Sequence, residues 1–263
     1  SVHLDKFPTE KMQSMPALQD GARTFVNYCL NCHSASMMRF NRLQDIGLTD
    51  EQISGSLQFT EGRVGDLMKV AMRHEDGKAW FGAAPPDLSV EARARASESG
   101  SGADWIYTYL RSYYRDGSRE TGWNNAIFPN VGMPNPLWQW QGMRGAVEER
   151  VAPVTDEATG KVTGWTKTTI TYDREGNKSE KVEKVDGDGL HEGTHFTLGT
   201  PEGGTLSQAE FDDKVANLVA FMKFMSDPSA STRGRLGIWV LLFIALFVGC
   251  TWWLNREYWK DIK

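Results

Sequence analysis

The sequence predicts a mainly α domain with a β-hairpin-containing insertion, followed by one C-terminal transmembrane helix. Three observations carry this: apolar residues recur at helical spacing in three stretches, β-branched and polar residues alternate within about 144–197, and the run LGIWVLLFIALFVGCTWWL (236–254) holds no charge. At 263 residues the chain is long enough for one large domain or two small ones. Its 29 Lys+Arg against 34 Asp+Glu give a net charge of −5, which argues against nucleic acid as a partner and suits a basic protein better.

The first helix is expected just before the cysteines, where PALQDGARTFVNY sets Leu18, Ala22, Phe25 and Val26 at helical spacing and puts Gly21 and Phe25 on one face. A second is expected in ADWIYTYLRSYY, from Ala103 to about Tyr114. A third opens on the capping pair Ser207 and Glu210 and buries Phe211, Val215, Leu218, Val219, Met222 and Met225. Asp227-Pro228 ends it. FGAAPPDLS and IFPNVGMPNPLW read as Gly- and Pro-rich connections. In the insertion, KVTGWTKTTITYDREGNKSEKVEKV alternates around Arg174-Glu175-Gly176-Asn177, a hairpin with little to bury.

The uncharged run is about nineteen residues long. At 1.5 Å per residue that covers roughly 28 Å, close to the ~30 Å hydrocarbon core of a bilayer. Trp239, Trp252, Trp253 and Trp259 lie near its ends, as an aromatic belt requires. Arg233 and Arg235 precede the span while Arg256, Lys260 and Lys263 follow it, a weak lean towards a cytoplasmic C-terminus. Ser1 opens the chain without an apolar h-region, the pattern expected of a product whose signal peptide has been removed.

Chemistry concentrates in CLNCH, Cys29 to His33. C-x-x-C-H is the attachment signature of c-type haem: two thiols at that spacing add to two vinyl groups as thioethers, and the following His reaches the iron. A redox dithiol would want a βαβ setting and a zinc site a second Cys/His pair nearby, and neither is present. Cys29 and Cys32 are therefore expected to hold one haem c covalently, with His33 as one axial ligand.

The sixth position decides the function, because an open site favours gas or peroxide chemistry and a protein ligand favours electron transfer. Of ten methionines, Met37 and Met38 follow His33 too closely, and Met68 and Met72 read as helical core packing. Met222 and Met225 belong to the apolar face above. Met133 in VGMPNP sits where Gly132 admits close backbone approach and Pro134 and Pro136 stiffen the loop, so it is preferred, with Met143 second. HEGTH, His191 to His195, fits the H-E-x-x-H zinc pattern, but its glycine-rich surroundings oppose the helix that chemistry needs, so a solvated loop is expected.

CLNCHSASMMRFNRL, FGAAPPDLSVEARAR, ADWIYTYLRSYY, VGMPNPLW and the helix ending in FMSDP, in that order before one C-terminal span, resemble cytochrome c1 of the proteobacterial type. The resemblance covers most of the chain outside the insertion. It implies a class I cytochrome c-like haem domain, with Cys29 and Cys32 as thioether sites and His33 and Met133 as the axial ligands of the iron. Pro85 and Pro86 would pack at the haem edge, Arg95 (or Arg93, also in EARAR) would meet a propionate, and Trp105 and Phe128 would line the pocket. Trp80-Phe81 stands where mitochondrial members tend to carry Asn, and the 144–197 insertion is longer than theirs.

The function so implied is that of a mono-haem electron-transfer subunit of ubiquinol:cytochrome c oxidoreductase, the bc1 complex. Its expected partners are cytochrome b, the Rieske iron–sulfur subunit, a soluble or anchored cytochrome c, the lipid membrane and a second copy of the complex. The haem domain, residues 1–232, would be periplasmic at the bacterial inner membrane, with a transmembrane helix at 233–255 and a short cytoplasmic tail at 256–263. Two alternatives compete: a stand-alone anchored cytochrome donating to a terminal oxidase, and an anchored haem enzyme or gas sensor with an open site.

Overall fold

The computed structural model describes residues 3–156, 159–186 and 190–260, so the end of the expected tail, 261–263, lies outside the described residues. The chain divides into two units after Ser226.

In the first unit, α1 (Met15–Thr24) starts where the Ser14 hydroxyl accepts from the Ala17 amide, with Pro16 in the first turn. One wider π-type turn, Phe25–Cys29, carries the chain on to the cysteine motif. β1 (Ala35–Arg39) follows and pairs with the short β2 (Leu67–Met68); α2 (Asp50–Ser56) and α3 (His74–Phe81) complete this half. The helix expected around Met68 and Met72 is absent. Met68 is fully buried on β2 and α3 starts only at His74, so burial rather than helical spacing explains that methionine.

α4 (Glu91–Ala94) leads to α5 (Gly102–Leu110), which opens on a capping box between Ser101 and Asp104. The helix stops four residues short of the predicted Tyr114. In its last turn the Thr108 carbonyl accepts from Ser112 Oγ at 2.6 Å, and beyond its end the Arg144 guanidinium donates to the carbonyls of Arg111 and Tyr113. Tyr113–Arg115 become β3, antiparallel to β4 (Trp123–Asn125), and α6 (Trp138–Gln141) follows the methionine loop.

α7 (Gln208–Ser226) begins on the predicted Ser207–Glu210 pair, whose Ser207 amide donates to the Glu210 carboxylate at 2.9 Å. Its six predicted apolar residues are all buried. α1 and α7 touch at backbone distance: a Cβ on Gly21 would lie 2.0 Å from the Asn217 carbonyl oxygen and 2.8 Å from the Phe221 Cβ. A side chain there would force the helices apart, so glycine at 21 fixes their separation.

The insertion holds more than one hairpin. β5 (Ala146–Thr155), β6 (Val162–Tyr172), β7 (Lys178–Val185) and β8 (Gly193–Leu198) form an antiparallel sheet in the order β7-β6-β5-β8. The predicted hairpin is β6–β7, with Tyr172 paired to Lys178 across the turn. The sheet buries Ala146, Ile170 and Tyr172 with Tyr114 of β3, beside Phe196 and Leu198, so it has a small apolar base. His195 lies on β8 and His191 precedes it; both are exposed, and the zinc-type helix does not form.

The second unit is one helix, α8 (Ala230–Tyr258), with Thr232–Tyr258 long and apolar enough to cross a membrane and none of its most apolar stretch buried.

Candidate haem site

His33 is placed by the turn at the end of the first helical segment, where its amide donates to the Cys29 carbonyl at 2.9 Å. The strand that follows is clamped to the proline loop. Asp87 accepts from the Ser36 amide at 2.8 Å and hydroxyl at 2.6 Å, and the Leu88 amide donates to Ser34 O at 2.8 Å. This brings the Pro86 carbonyl within 2.7 Å of His33 Nδ1. A carbonyl only accepts, so Nδ1 carries the proton and Nε2 keeps its lone pair. Burial pushes the His33 pKa below its ordinary value, against the Pro86 carbonyl and the charges of Glu91 and Asp87, which keeps the ring neutral as a ligand must be.

One cavity of about 340 Å³ gathers the predicted residues. Cys29, Cys32, His33, Pro85, Pro86, Arg95, Trp105, Phe128 and Met133 all line it. Arg93 and Met143 do not; the Met143 amide and carbonyl pair with Glu202 instead. Of the other methionines only Met222, from α7, reaches this wall, while Met38 and Met68 are core and Met37 is exposed. Burial, with the charge of Cys32 second, pushes the Cys29 thiol up to about 12, and burial raises Cys32 as well.

The loop that brings Met133 in rests on a second close approach. A Cβ on Gly132 would lie 2.5 Å from the Phe81 carbonyl oxygen, so the chain passes there only as glycine. From α5, Trp105 stacks on Tyr109 at 4.8 Å between ring centroids, and the Tyr109 hydroxyl stands 3.4 Å from Met133 Sδ. The Arg95 guanidinium lies 4.5 Å over the Trp105 ring and donates from Nε to Glu91 at 2.5 Å.

Tyr28, Glu91 and Tyr109 also line the cavity, beyond the residues expected from the sequence. For Tyr109 a signal existed, because Trp105 and Tyr109 are four apart on one helix and share its face. Phe81, not a polar side chain, fills the place flagged at Trp80-Phe81, with Trp80 outside at 61% exposure.

These residues fit a c-type haem. Two thiols, a neutral imidazole with a free Nε2 and a thioether converge on a cavity whose remaining wall is mostly apolar and aromatic, with Glu91 and Arg95 as its charged pair, as a flat macrocycle with an apolar face and two propionates demands. A family model described as the Cytochrome C1 family matches residues 8–149. The chain belongs to the cytochrome c1 family.

Its relatives include the cytochrome c1 of Allochromatium vinosum, 35% identical over 95% of this chain and 86% of that protein. The cytochrome c1 of Rhodospirillum rubrum is 24% identical over 94% and 82%. A protein of Nitrosomonas europaea named ammonia monooxygenase gamma subunit is 40% identical over 99% and 89%. Membership in the cytochrome c1 family makes the chain an electron-transport protein of the haem c type, the c1 subunit of a bc1 complex, and α8 fits its membrane anchor.

Proposed function

We propose that this chain is the single-haem carrier of a ubiquinol:cytochrome c oxidoreductase, accepting electrons one at a time from a Rieske iron–sulfur subunit and passing them to a soluble or anchored cytochrome c. The observation that carries the proposal is the convergence of Cys29, Cys32, His33 and Met133 on one cavity wall. Haem c bound there supplies a one-electron iron couple. Cys29 and Cys32 would hold it through two thioethers, and His33, through the Nε2 left free by its Nδ1–H on Pro86, and Met133 would ligate the iron. With two protein ligands the iron would be closed to substrates, so this chain would need no general acid or base. Pro85, Pro86, Trp105 and Phe128 would exclude water, and Arg95 would neutralise a propionate.

The haem domain, 1–232, is assigned to the periplasm, with a transmembrane helix at 233–255, a cytoplasmic tail at 256–263 and a dimeric complex with cytochrome b. A redox-titrated visible spectrum of the gently solubilised assembly tests this. The expected result is one c-type haem with a sulfur-to-iron charge-transfer band, accompanied by b-type haem, an iron–sulfur signal and quinol-dependent reduction of cytochrome c. A c-type haem without companions, or a ferrous form that binds carbon monoxide readily at neutral pH, overturns it. The name of the Nitrosomonas relative supplies a second reading, and ammonia-dependent oxygen uptake by the same assembly would support it.

A further inference from the structure

Behind Met133 lies a pair of buried hydroxyls that the electron-carrier reading leaves unexplained. Tyr109 Oη and Tyr113 Oη are 2.7 Å apart, Tyr109 Oη is 3.4 Å from Met133 Sδ, and Tyr113 Oη is 3.3 Å from the Met133 carbonyl oxygen. Both rings are buried, at 8% and 0% exposure, and pack edge to face at 5.4 Å. Both are phenols, which keep their protons near neutral pH.

Two protons thus face three acceptors: the sulfur, the carbonyl and the neighbouring hydroxyl. If Tyr109 donates to Tyr113, Tyr113 must donate onward to the Met133 carbonyl, and that contact, at 3.3 Å, is long for an O–H···O bond. If Tyr113 donates to Tyr109 over 2.7 Å, Tyr109 is left to donate to the sulfur at 3.4 Å, an ordinary distance for a sulfur acceptor. Both arrangements use the 2.7 Å contact; the second adds a sulfur contact of ordinary length where the first adds a long O–H···O one, and leaves only the carbonyl without this partner.

We propose that Tyr113 and Tyr109 form a directed hydroxyl relay, Tyr113 to Tyr109 to Met133 Sδ, that lowers the electron-donor strength of the sulfur and raises the reduction potential of the haem. The proposal rests on Met133 being the sixth ligand. A thioether sulfur has two lone pairs, one for the iron and one for a proton donor. Donation from Tyr109 withdraws density from the sulfur and points the positive end of an O–H dipole at the site, and both favour the reduced iron. Tyr113 polarises Tyr109 without touching the sulfur, so its share is the smaller. Both tyrosines are positioning residues, acting through Met133.

The test is a redox titration of the full membrane-solubilised chain with haem, as parent, Tyr109→Phe, Tyr113→Phe and Met133→Leu, with the charge-transfer band followed in each. Tyr109→Phe is expected to keep the band and shift the one-electron equilibrium roughly fivefold towards the oxidised form, about 40 mV. Tyr113→Phe is expected to keep the band and shift it by less than half as much. An unmoved potential in Tyr109→Phe, or a fall in Tyr113→Phe as large as in Tyr109→Phe, overturns the relay; equal falls would instead report the loss of packing polarity. A band that survives in Met133→Leu overturns the ligand assignment and the relay with it, whereas a lost band with an unmoved Tyr109→Phe potential overturns the relay alone.

Discussion

The ring of His33 is held by the carbonyl of Pro86, 2.7 Å from Nδ1. A proline at 86 pre-sets the backbone that presents this carbonyl, and replacing it frees the unfolded chain more than the folded one. Pro86→Ala is expected to cost about 0.5–1 kcal/mol and to lower the thermal midpoint of the haem-loaded protein by about 2–4 °C, with the haem still covalently attached. An unchanged midpoint in a thermal melt would show that the loop is held by Asp87 and Leu88 alone.

Gly21 meets Asn217 at a separation no side chain tolerates. Gly21→Ala puts a methyl 2.0 Å from a backbone oxygen, which only a shift of α1 against α7 relieves. Overpacking of this kind costs about 1–3 kcal/mol or more. Urea unfolding measures it; a loss under about 0.5 kcal/mol would mean that the helices slide apart freely.

The two units predict a further result. A chain ended after Ser226 keeps the whole cavity wall and loses α8, so it is expected to stay in the aqueous fraction with its haem, while the full chain partitions into membranes. Membrane retention of the short chain would place the anchor elsewhere.

How much of this was legible depended on how local each signal is. CLNCH is five consecutive residues, and Met133 sits in a Gly-Pro loop whose chemistry can be read in a window of six, so the residues that converge on the cavity are legible in the sequence. Tyr109 is not, because an aromatic on an apolar helical face looks the same whether it faces core or cofactor. The β6–β7 hairpin was visible through its turn, Arg174–Asn177. β8 pairs with β5 nearly fifty residues away, Glu148 opposite Phe196, and a partner chosen at that distance leaves no mark in either strand. The end of α5 was missed for a similar reason, since Arg144, more than thirty residues on, takes the carbonyls that would have continued it.

Asp20 on α1 links stability to pH. Burial pushes its carboxyl up, but hydrogen bonds from Lys214 Nζ at 2.5 Å and Asn217 Nδ2 at 2.9 Å outweigh this and hold its pKa below the ordinary value. A depressed folded pKa gives stability that is complete above the unfolded value, about 3.9, and is lost as pH falls through the folded one. Urea midpoints at pH 6.5 and pH 3.5 should therefore differ less in Asp20→Asn than in the parent. An identical difference in both would show that other carboxylates carry the acid limb.

Glu91 and Arg95 share the cavity wall with opposite charges, joined at 2.5 Å between Arg95 Nε and Glu91 Oε1. A positive charge beside the haem favours the reduced iron and a negative one the oxidised, because reduction adds an electron. The two truncations should then move the midpoint in opposite directions: Arg95→Ala downward, Glu91→Gln upward, measured by the same redox titration at one ionic strength. Arg95→Ala should have the larger effect, since it also removes the guanidinium from the Trp105 face at 4.5 Å and leaves a half-buried carboxylate without its partner. If both variants fell together, the charges would be acting through the packing of Trp105, and the ordering of the wall rather than its field would set the potential.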